Sequence, residues 1–495
     1  MARMEERERM NVCLIAPPLQ DHVNGRLVPI SMDAARTCPP YGAYLLAAVL
    51  QTTGNDVVLV DLIAQGSSDL LPNIGSIVAA DVVGIGTSSL SWPTARDCIN
   101  TVRSYRPDVP IVLGGIHASM FDRYLLSTTE ANFVIRGEAE RAFPAFCRAL
   151  LGGIRLEDVP NLSFKLPSGK IVRNAIGALL SGDELASYPV PDYSRIPRNV
   201  YMGLGVESSR GCTFDCAFCS TSYRRTWRGL SPDRFVDRLE QMLPCLALTV
   251  GGVTHIIDDE FSTETDRATA ICRKLVERDM SPRLVFSSRA NDLLDSDFVD
   301  AIAPFAHQFL VGAECGYDEG LKQVGKGTTC RKLRSAAEKL RDYGIAEIAD
   351  FSFIIGLPWE TKVEVMQTVQ FGYDLYATYG VRILFQWYCQ IPGSRLWAEQ
   401  REREVLHEAH YDNYGFFRDH YLFRSGVQLK PSEVYEVQSA IAAITTLSAK
   451  NRYGMTMIEC SVPEPILNHY PEIKYPETSL KNLREVAGPV IAQQS

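Results

Sequence analysis

Two long stretches of this sequence alternate short apolar runs with segments of helical spacing. In the first stretch the apolar runs are rich in Val and Ile and are bounded by Pro, Gly, Ser or Asp: Asn11–Ala16, Asp56–Asp61, Asp81–Thr87, Pro110–Gly115 and Asn132–Gly137. Helical periodicity marks the intervening segments, such as Pro40–Gln51, Pro93–Tyr105 and Glu138–Leu151. Repeated strand–helix units predict a parallel sheet with helices on both faces. Residues 1–151 are therefore predicted to form a Rossmann-like α/β domain that binds its ligand at the carboxyl ends of the strands.

A second strand–helix series covers residues 198–400. Its predicted strands are Gly205–Ser209, Thr254–Asp258, Arg283–Ser287, Gln308–Glu314, Glu347–Ile355 and Ile383–Gln390. The helical segments between them include Pro232–Leu248, Thr265–Asp279, Lys332–Tyr343 and Lys362–Tyr379. Six such units predict a partial (β/α)6 barrel of the TIM type rather than a closed eight-fold barrel.

Two further regions complete the predicted domain organisation. Residues 152–197 hold several prolines and little periodicity, and we interpret them as a linker. Residues 401–495 are predicted to be mostly helical. Aromatic residues are dense near the start of this C-terminal region, where they either form core or line the barrel: Tyr411, Tyr414, Phe416, Phe417 and Tyr421.

Composition limits the classes of function. The 495 residues carry a net charge of −9, which argues against a nucleic-acid-binding surface. The charged N-terminus lacks the apolar core of a secretory signal, and no stretch approaches the roughly 18 apolar residues of a membrane span. Thirteen cysteines are an odd number in a large chain, so a disulfide framework is not expected. We predict a cytoplasmic protein with no nucleic-acid partner and no membrane span.

Three of the cysteines lie close together in the sequence. Cys212, Cys216 and Cys219 have the spacing Cys-x3-Cys-x2-Cys, in the loop after the first strand of the second series. Iron–sulfur clusters are held by thiolates at such close spacings. Three thiolates leave one iron of a 4Fe–4S cluster open, and an open iron can chelate the amine and carboxylate of an amino acid. A structural zinc site would need a fourth ligand at a regular offset, and no nearby Cys or His supplies one.

This cysteine loop resembles the signature of the radical S-adenosylmethionine (radical SAM) superfamily, in which an aromatic residue usually precedes the last cysteine, as Phe218 does here. The resemblance extends over about residues 200–400 and implies that the three cysteines bind a 4Fe–4S cluster and that SAM binds beside it. Cys315 stands where the family's Gly-x-Glu-Ser-Gly stretch has serine. The residues that the resemblance places around SAM are Asp258, Asp259 and Glu260 at the amino group, Arg289 and Asn291 near the carboxylate and ribose, Glu314 in the Gly-x-Glu stretch, and Gly356 and Leu357 near the adenine.

Each of these segments also has a structural interpretation. The acidic segment Asp258–Glu260 could be a solvated strand end, and Glu314 could be a buried carboxylate with ordinary partners. The Gly356–Pro358 sequence suits a strand-to-helix turn whether or not a ligand is present.

The first domain resembles the cobalamin-binding domain found upstream of many radical SAM enzymes. The better-known cobalamin domains carry Asp-x-His-x-x-Gly, followed by Ser-x-Leu and Gly-Gly. Here Asp61 preserves the first frame, but Ile63 stands in place of the histidine that binds cobalt. The residues that match the rest of the pattern are Ser88, Leu90, Gly114 and Gly115, and small residues there suit a nucleotide tail close to the backbone. Nearby His117 either approaches the cofactor or makes a structural hydrogen bond.

Together the resemblances imply a cobalamin-dependent radical SAM C-methyltransferase. In this class a reduced cluster splits SAM to give a 5′-deoxyadenosyl radical, which takes a hydrogen atom from an unactivated carbon before a methyl group is delivered from cobalamin. The implied substrate is a small-molecule, natural-product or carrier-tethered intermediate, as in antibiotic biosynthesis, and the implied electron donor is a protein such as flavodoxin or ferredoxin. No residue is assigned as catalytic.

Three alternatives remain. The first is a radical SAM dehydratase, cyclase or rearrangement enzyme on the same scaffold, with or without bound cobalamin. The second is a methylthiotransferase, which usually has a second set of cysteines that is not visible here. The third is a cobalamin carrier or light sensor, which has no use for an open iron.

Overall fold

The computed structural model describes residues 9–23, 26–29, 37–403, 406–413 and 428–461. The chain divides into two compact units. The first consists of Met1–Val206, Arg228–His255 and His407–Tyr414, and the second of Glu207–Trp227, Ile256–Leu406 and Gly415–Ser495. Within the described residues, no helix is both long and apolar enough to cross a membrane.

The N-terminal part of the chain forms a seven-stranded sheet. The strands of this sheet are β1 (Asn11–Ala16), β4 (Asp56–Asp61), β5 (Val82–Gly86), β6 (Ile111–Gly114), β7 (Phe133–Ile135), β8 (Leu162–Lys165) and β9 (Ile171–Arg173). Strands β2 (Gln20–Val23) and β3 (Arg26–Pro29) form a separate antiparallel pair. The order in the sheet is β4-β1-β5-β6-β7-β8-β9. The pairs from β4 to β7 are parallel, as the sequence predicts for this α/β domain.

The helices of the first unit are α1 (Tyr41–Thr52), α2 (Leu62–Gln65), α3 (Ile74–Ala79), α4 (Trp92–Tyr105), α5 (Ile116–Thr128), α6 (Ala142–Leu150), α7 (Gly182–Ser187) and α8 (Pro232–Met242). Strand residues Leu14 and Val112 pack with Phe146 of α6 in a buried core. The chain leaves β1 for β4 on one side and then crosses to β5 on the other. This reversal opens a crevice at the carboxyl ends of β1 and β5, where sheets of this type bind ligands.

The predicted linker, residues 152–197, contains ordered structure that the sequence prediction missed. Strands β8 and β9 form a hairpin that continues the first sheet, and β8 pairs antiparallel with β7. The turn of the hairpin is closed by the Leu166 N–H, which donates to the Lys170 carbonyl at 2.8 Å. Strands of four and three residues are too short to show a period of two among the prolines of this region.

The second series contains the strands β10 (Gly203–Val206), β11 (Ser209–Arg210), β12 (Arg228–Gly229), β13 (Val253–Ile256), β14 (Leu284–Arg289), β15 (Ala306–Glu314), β16 (Ala349–Ile355), β17 (Arg382–Trp387) and β18 (Ile458–Ser461). Seven of them form a sheet in the order β10-β13-β14-β15-β16-β17-β18. The pairs from β14 to β18 are all parallel. The helices in the described residues of the second unit are α9 (Thr265–Glu277), α10 (Ser296–Ile302), α11 (Asp318–Gln323), α12 (Cys330–Asp342), α13 (Lys362–Tyr379), α14 (Arg395–Glu402) and α15 (Pro431–Leu447).

The C-terminal region differs from its prediction in one respect. Its described part contains helix α15, but also strand β18, which pairs with β17 and gives the six predicted strands a seventh neighbour. Ile458 is fully buried, so this short strand is set by tertiary packing rather than by a local pattern. Of the C-terminal aromatic residues, Tyr411 is buried. The others lie outside the described residues: Tyr414, Phe416, Phe417 and Tyr421.

Candidate functional site

The three clustered cysteines lie on one loop, immediately after the short strand β11. Gly211 opens the loop with a φ of 87°, and a Cβ at this position would overlap the carbonyl oxygen of Thr226, so only glycine fits. The Cys212 N–H donates to the Tyr223 carbonyl at 3.1 Å. The Ala217 N–H donates to the Val324 carbonyl at 2.8 Å and joins the loop to the end of α11. The backbone thus holds the loop at both ends.

The thiols of this loop suit a cluster better than a single ion. All three are free of disulfides, and within the described residues no group of three or more His, Cys, Asp or Glu side chains converges on one point as a single metal ion requires. A 4Fe–4S cluster instead binds each thiolate through a different iron. Burial raises the pKa of Cys212 and of Cys219, and bound iron would supply the charge that keeps them deprotonated. The Thr221 N–H, 3.5 Å from the Cys219 sulfur, is a hydrogen bond of the kind that tunes cluster potentials.

Asp258 organises the strand that leads into the cysteine loop. Its Oδ1 accepts from the Ser208 N–H at 2.7 Å, and its Oδ2 accepts from the hydroxyls of Ser208 and Ser209 at 2.5 and 2.6 Å. Burial raises the pKa of Asp258, against the effect of these hydrogen bonds. The carboxylate is therefore occupied by structural partners. Asp259 is exposed and accepts from the Thr221 hydroxyl at 2.8 Å.

A buried and a half-buried carboxyl group, those of Glu260 and Asp292, share one hydroxyl at the carboxyl ends of β13 and β14. The Ser262 oxygen lies 2.7 Å from Glu260 Oε1, 2.8 Å from Asp292 Oδ2 and 2.9 Å from the Ser288 oxygen. A hydroxyl has a single proton to donate, so it cannot serve both carboxylates. Burial raises the pKa of Glu260 to about 7, and the charge of Asp292 adds to this rise. A cationic ligand group would stabilise both acids in their charged forms.

Arg289 and Asn291 hold the segment that follows α11. An Nη of Arg289 donates to the Lys326 carbonyl, and its guanidinium stacks 3.4 Å from the centre of the Phe214 ring in the cysteine loop. The Asn291 amide donates to the Gly327 carbonyl at 2.9 Å. Both predicted SAM-binding residues therefore connect this segment to the surroundings of the cysteines.

Glu314 ends strand β15 in a strained conformation and binds a buried lysine. Its φ is 64°, a value that costs free energy for any residue except glycine. Its Oε1 accepts from the Lys326 ammonium at 2.7 Å. Burial lowers the pKa of Lys326, but the carboxylate of Glu314 and the thiol of Cys216 outweigh burial, and the pKa is raised overall. A side chain on Gly312 would overlap this ion pair.

The turn after β16 is capped by a buried acid. Gly356 has a φ of 77°, and the Leu357 N–H donates to Glu360 Oε2 at 2.9 Å. Glu360 is completely buried, and its Oε1 accepts from the Tyr317 hydroxyl at 3.0 Å. Burial raises the pKa of Glu360 to about 7. The hydrogen bond from Leu357 to Glu360 gives the turn a fixed shape.

The structure thus brings most of the residues predicted around SAM to neighbouring strand ends of the second sheet. Sequence reasoning missed two charged residues of this region, the half-buried Asp292 and the buried Lys326, and it gave no role to Glu360. For Lys326 a signal was present, because glycines with φ values of 71° and 69° flank it and allow the tight turn that buries its side chain.

In the first unit, the predicted cobalamin-binding loops meet at the carboxyl ends of β5 and β6. Gly86 and Gly114 are in register, and the Thr87 hydroxyl donates to the Gly114 carbonyl at 2.7 Å. Gly115 has a φ of 92°, and a Cβ there would overlap the backbone of Thr87. By contrast, no atom lies within 4 Å of a Cβ built on Gly114. In this pair, Gly115 is therefore required by its close contact with Thr87, whereas Gly114 borders open space.

The Ser-x-Leu loop lies beside this pair. The Ser88 and Ser91 oxygens are 3.0 Å apart, and each hydroxyl accepts from the other residue's backbone N–H. Leu90 is exposed. His117 is buried instead: its Nδ1 lies 3.0 Å from the Ser89 oxygen, and its ring stacks on Trp92 at 5.1 Å. Of the two interpretations of His117, the geometry supports the structural hydrogen bond.

Asp61, at the carboxyl end of β4, is also saturated by local partners. Its Oδ1 accepts from the Ala64 N–H at 3.0 Å and caps α2. Its Oδ2 accepts from the hydroxyls of Tyr44 at 3.0 Å and Tyr201 at 2.6 Å. In the family pattern, this aspartate stands two residues before the cobalt-binding histidine. Here two tyrosines donate to the carboxylate instead.

Comparison with known protein families assigns two segments of the chain. Residues 29–147 match the model of the B12 binding domain, and residues 206–372 match that of the radical SAM superfamily. The loops of Asp61 and Gly115 lie within the first match, and the three cysteines lie within the second.

Several curated relatives are similar in sequence to this chain over most of its length. An uncharacterized methyltransferase of Pyrococcus horikoshii is 28% identical over 78% of this chain and 82% of its own. The anaerobic magnesium-protoporphyrin IX monomethyl ester cyclase of Rubrivivax gelatinosus is 25% identical over 69% of this chain, which spans 63% of that enzyme. The hopanoid C-3 methylase of Methylococcus capsulatus is 27% identical over 62% of this chain, which spans 59% of that enzyme.

Two groups of solved structures have a similar fold. The radical SAM methyltransferase TsrM from Kitasatospora setae, solved with tryptophan and a SAM analogue, has a TM-score of 0.64 at 20% identity, over 80% of this chain and 76% of its own. The cobalamin-dependent radical SAM enzyme OxsB, with aqua-cobalamin and SAM bound, has a TM-score of 0.58 at 18% identity over 73% of this chain and 51% of its own. The two domain matches, rather than these structures, give the cofactors: a 4Fe–4S cluster and SAM for the radical SAM domain, and cobalamin for the B12-binding domain. The chain joins a B12-binding domain to a radical SAM domain and is a radical SAM enzyme of the B12-binding type.

Proposed function

We propose that this enzyme transfers a methyl group to an unactivated carbon of a small-molecule or carrier-tethered biosynthetic intermediate. The observation that carries the proposal is the presence, in one chain, of a free three-cysteine loop and a B12-binding domain whose strand-end loops leave Gly114 open. Two relatives are named for methyl transfer, the Pyrococcus horikoshii protein and the hopanoid C-3 methylase.

The residues of the second unit are assigned separate tasks. Cys212, Cys216 and Cys219 would hold the cluster, and three thiolates would leave one iron free for the methionyl end of SAM. The buried Glu260 and the half-buried Asp292 would attract the ammonium group of SAM, since they share one serine hydroxyl and only Glu260 has the Ser262 N–H as a further donor. When bound, the cluster and cobalamin supply one-electron and methyl-transfer chemistry respectively.

In the first unit the chain's own groups shape the cofactor site. The Asp61 carboxylate is occupied by Tyr44, Tyr201 and the α2 backbone, so the loop after β4 keeps its form without a histidine. Ile63 presents an apolar side chain in the place of that histidine. We propose that cobalamin binds here without a protein ligand from position 63.

A second candidate is a radical cyclisation or dehydration on the same scaffold. The specific support is the relative from Rubrivivax gelatinosus, which is named as a cyclase and matches 69% of this chain. Such a reaction uses the radical but moves no methyl group to the product.

The experiment that separates the two candidates is anaerobic reconstitution with iron, sulfide and hydroxocobalamin, followed by reduction with titanium(III) citrate and incubation with methyl-deuterated SAM. Methylation by this route consumes SAM in two ways and yields both S-adenosylhomocysteine and 5′-deoxyadenosine. Candidate substrates are then screened for a mass gain of one deuterated methyl group. A cyclase or dehydratase forms 5′-deoxyadenosine without matching S-adenosylhomocysteine.

The variant Cys216→Ala is the matched control, because it removes the cluster but leaves the B12-binding domain intact. It should retain cobalamin and lose 5′-deoxyadenosine. Wild-type protein that binds iron and cobalt but never forms S-adenosylhomocysteine, with or without candidate substrates, would contradict the methyltransferase proposal.

A further inference from the structure

A compact group of arginines surrounds one acid inside the cysteine loop. Asp215, the residue before Cys216, faces Arg225 with an N–O distance of 2.6 Å, Arg224 at 3.4 Å and Arg395 at 3.8 Å. An Nη of Arg395 also donates to the Asp215 carbonyl at 3.1 Å, and one of Arg224 donates to the Gly393 carbonyl at 2.6 Å. Three guanidinium groups therefore converge on a single carboxylate.

We call these three residues, Arg224, Arg225 and Arg395, the arginine patch. The patch carries more positive charge than a structural ion pair with one carboxylate requires. One carboxylate neutralises one of the three cations, so the patch remains positive on a chain whose net charge is −9. The side chain of Arg225 is 73% exposed and that of Arg395 is 50% exposed. Among the described contacts, Arg225 pairs with Asp215 alone. An ion pair with so exposed a partner contributes little to stability.

The position of the patch relates it to electron supply. Asp215 directly precedes Cys216, so the cations that face its carboxylate lie beside the loop that we propose binds the cluster. Electron transfer between proteins requires that a donor approach the acceptor closely, and complementary charge both steers and orients that approach.

We propose that the arginine patch is the docking surface for an acidic, low-potential one-electron carrier protein. The inference rests on the proposed placement of the cluster on Cys212, Cys216 and Cys219, but not on methyl transfer. In each encounter the reduced carrier loses one electron and the cluster gains it, with no bond made or broken. Carboxylates around the carrier's own redox centre would replace solvent at Arg225 and Arg395.

The test compares charge reversal with a matched control. Arg225→Glu reverses the most exposed charge of the patch, and Arg155→Glu reverses an equally exposed arginine, 74% accessible and paired with Asp158. An acidic flavodoxin, reduced to its hydroquinone, is mixed with reconstituted enzyme, and cluster reduction is followed by stopped-flow absorbance. Binding of oxidised flavodoxin is measured in parallel by calorimetry, and 5′-deoxyadenosine is measured with flavodoxin or with titanium(III) citrate.

At low ionic strength Arg225→Glu is expected to slow cluster reduction by flavodoxin and to weaken its binding, each about tenfold. With titanium(III) citrate in excess, so that its encounter with the enzyme does not limit the rate, 5′-deoxyadenosine formation should equal that of the wild type. Arg155→Glu should behave as the wild type throughout, and added salt should narrow the difference in flavodoxin kinetics between Arg225→Glu and the wild type. Unchanged flavodoxin kinetics in Arg225→Glu would overturn the proposal. So would an equal loss with both reductants, which indicates a damaged loop.

Failure of the underlying cluster assignment would look different. Wild-type enzyme would then give no 5′-deoxyadenosine with titanium(III) citrate and no iron signal, and the docking proposal would fall with it. Cluster reduction and 5′-deoxyadenosine without methyl transfer would contradict only the proposed function.

Discussion

The Lys326 ammonium donates to Glu314 Oε1 at 2.7 Å, and both side chains are almost completely buried. Removing one partner leaves the other as an unpaired charge in a site of low polarity, which typically costs about 3–5 kcal/mol. The Lys326→Met variant is expected to lose unfolding free energy of this order in urea denaturation. The double variant Lys326→Met with Glu314→Gln should recover most of the loss, because no buried charge remains. Equal stability of the single and double variants would show that the pair is not coupled.

The Gly-Gly pair of the first unit offers a comparison of adjacent positions. Gly115 has a φ of 92° and no space for a Cβ beside Thr87, whereas no atom lies within 4 Å of a Cβ on Gly114. Gly115→Ala should therefore destabilise the protein by about 1–3 kcal/mol and displace the loop. Thermal denaturation and the stoichiometry of bound cobalamin measure both effects. Gly114→Ala is the control for folding and should retain stability. If Gly115→Ala binds cobalamin as the wild type does, the loop does not shape that site.

The long periodic elements were predictable because local signals agree with the tertiary structure. Helix α13 has the predicted bounds Lys362–Tyr379. Its start is marked by a capping box between Thr361 and Glu364, and its end by Gly380 with a φ of 73°. The parallel strands were predictable for the same reason, since buried strands read as continuous apolar runs.

The short strands and the buried charges could not be predicted in this way. Strands β8, β9 and β18 contain three or four residues each, fewer than a periodic pattern needs. The glycines that flank Lys326 indicate a tight turn, but its pairing with Glu314 depends on where tertiary packing places that turn, which no local pattern encodes. The sequence resemblance located Asp258 and Asp61 correctly at strand ends, but only the structure shows that serine and tyrosine side chains occupy their carboxylates.

The pKa of Glu360 makes stability depend on pH in a defined window. Burial raises this pKa from 4.5 to about 7, so the folded protein holds a proton that the unfolded chain releases at lower pH. The contribution of Glu360 to stability is thus complete below pH 4.5 and is lost as pH rises through about 7. The full loss is roughly 3 kcal/mol. Glu360→Gln cannot ionise, and its unfolding free energy should fall less between pH 5 and about 7.5.

Comparing the variant with the wild type at each pH isolates Glu360, because Glu260 titrates in the same range and remains in both proteins. The glutamine loses one of the two hydrogen bonds to Leu357 and Tyr317, so the variant should start about 1 kcal/mol less stable at low pH. Parallel curves for the two proteins would mean that Glu360 is ionised in the folded state throughout.

The proposed role of the cysteine loop predicts that Cys216→Ala and Cys245→Ala differ sharply in iron content. Replacement of Cys216 by alanine removes one of the three thiolates that we propose as ligands of a 4Fe–4S cluster, and two thiolates would hold the cluster only weakly. The variant should lose most of its iron and the visible absorbance of the cluster after anaerobic reconstitution. Cys245→Ala provides the control, since Cys245 is also free and partly buried but lies outside the loop. Its iron content and spectrum should match those of the wild type. Retention of a full cluster in Cys216→Ala would contradict the assignment, because within the loop no further cysteine can replace the missing ligand.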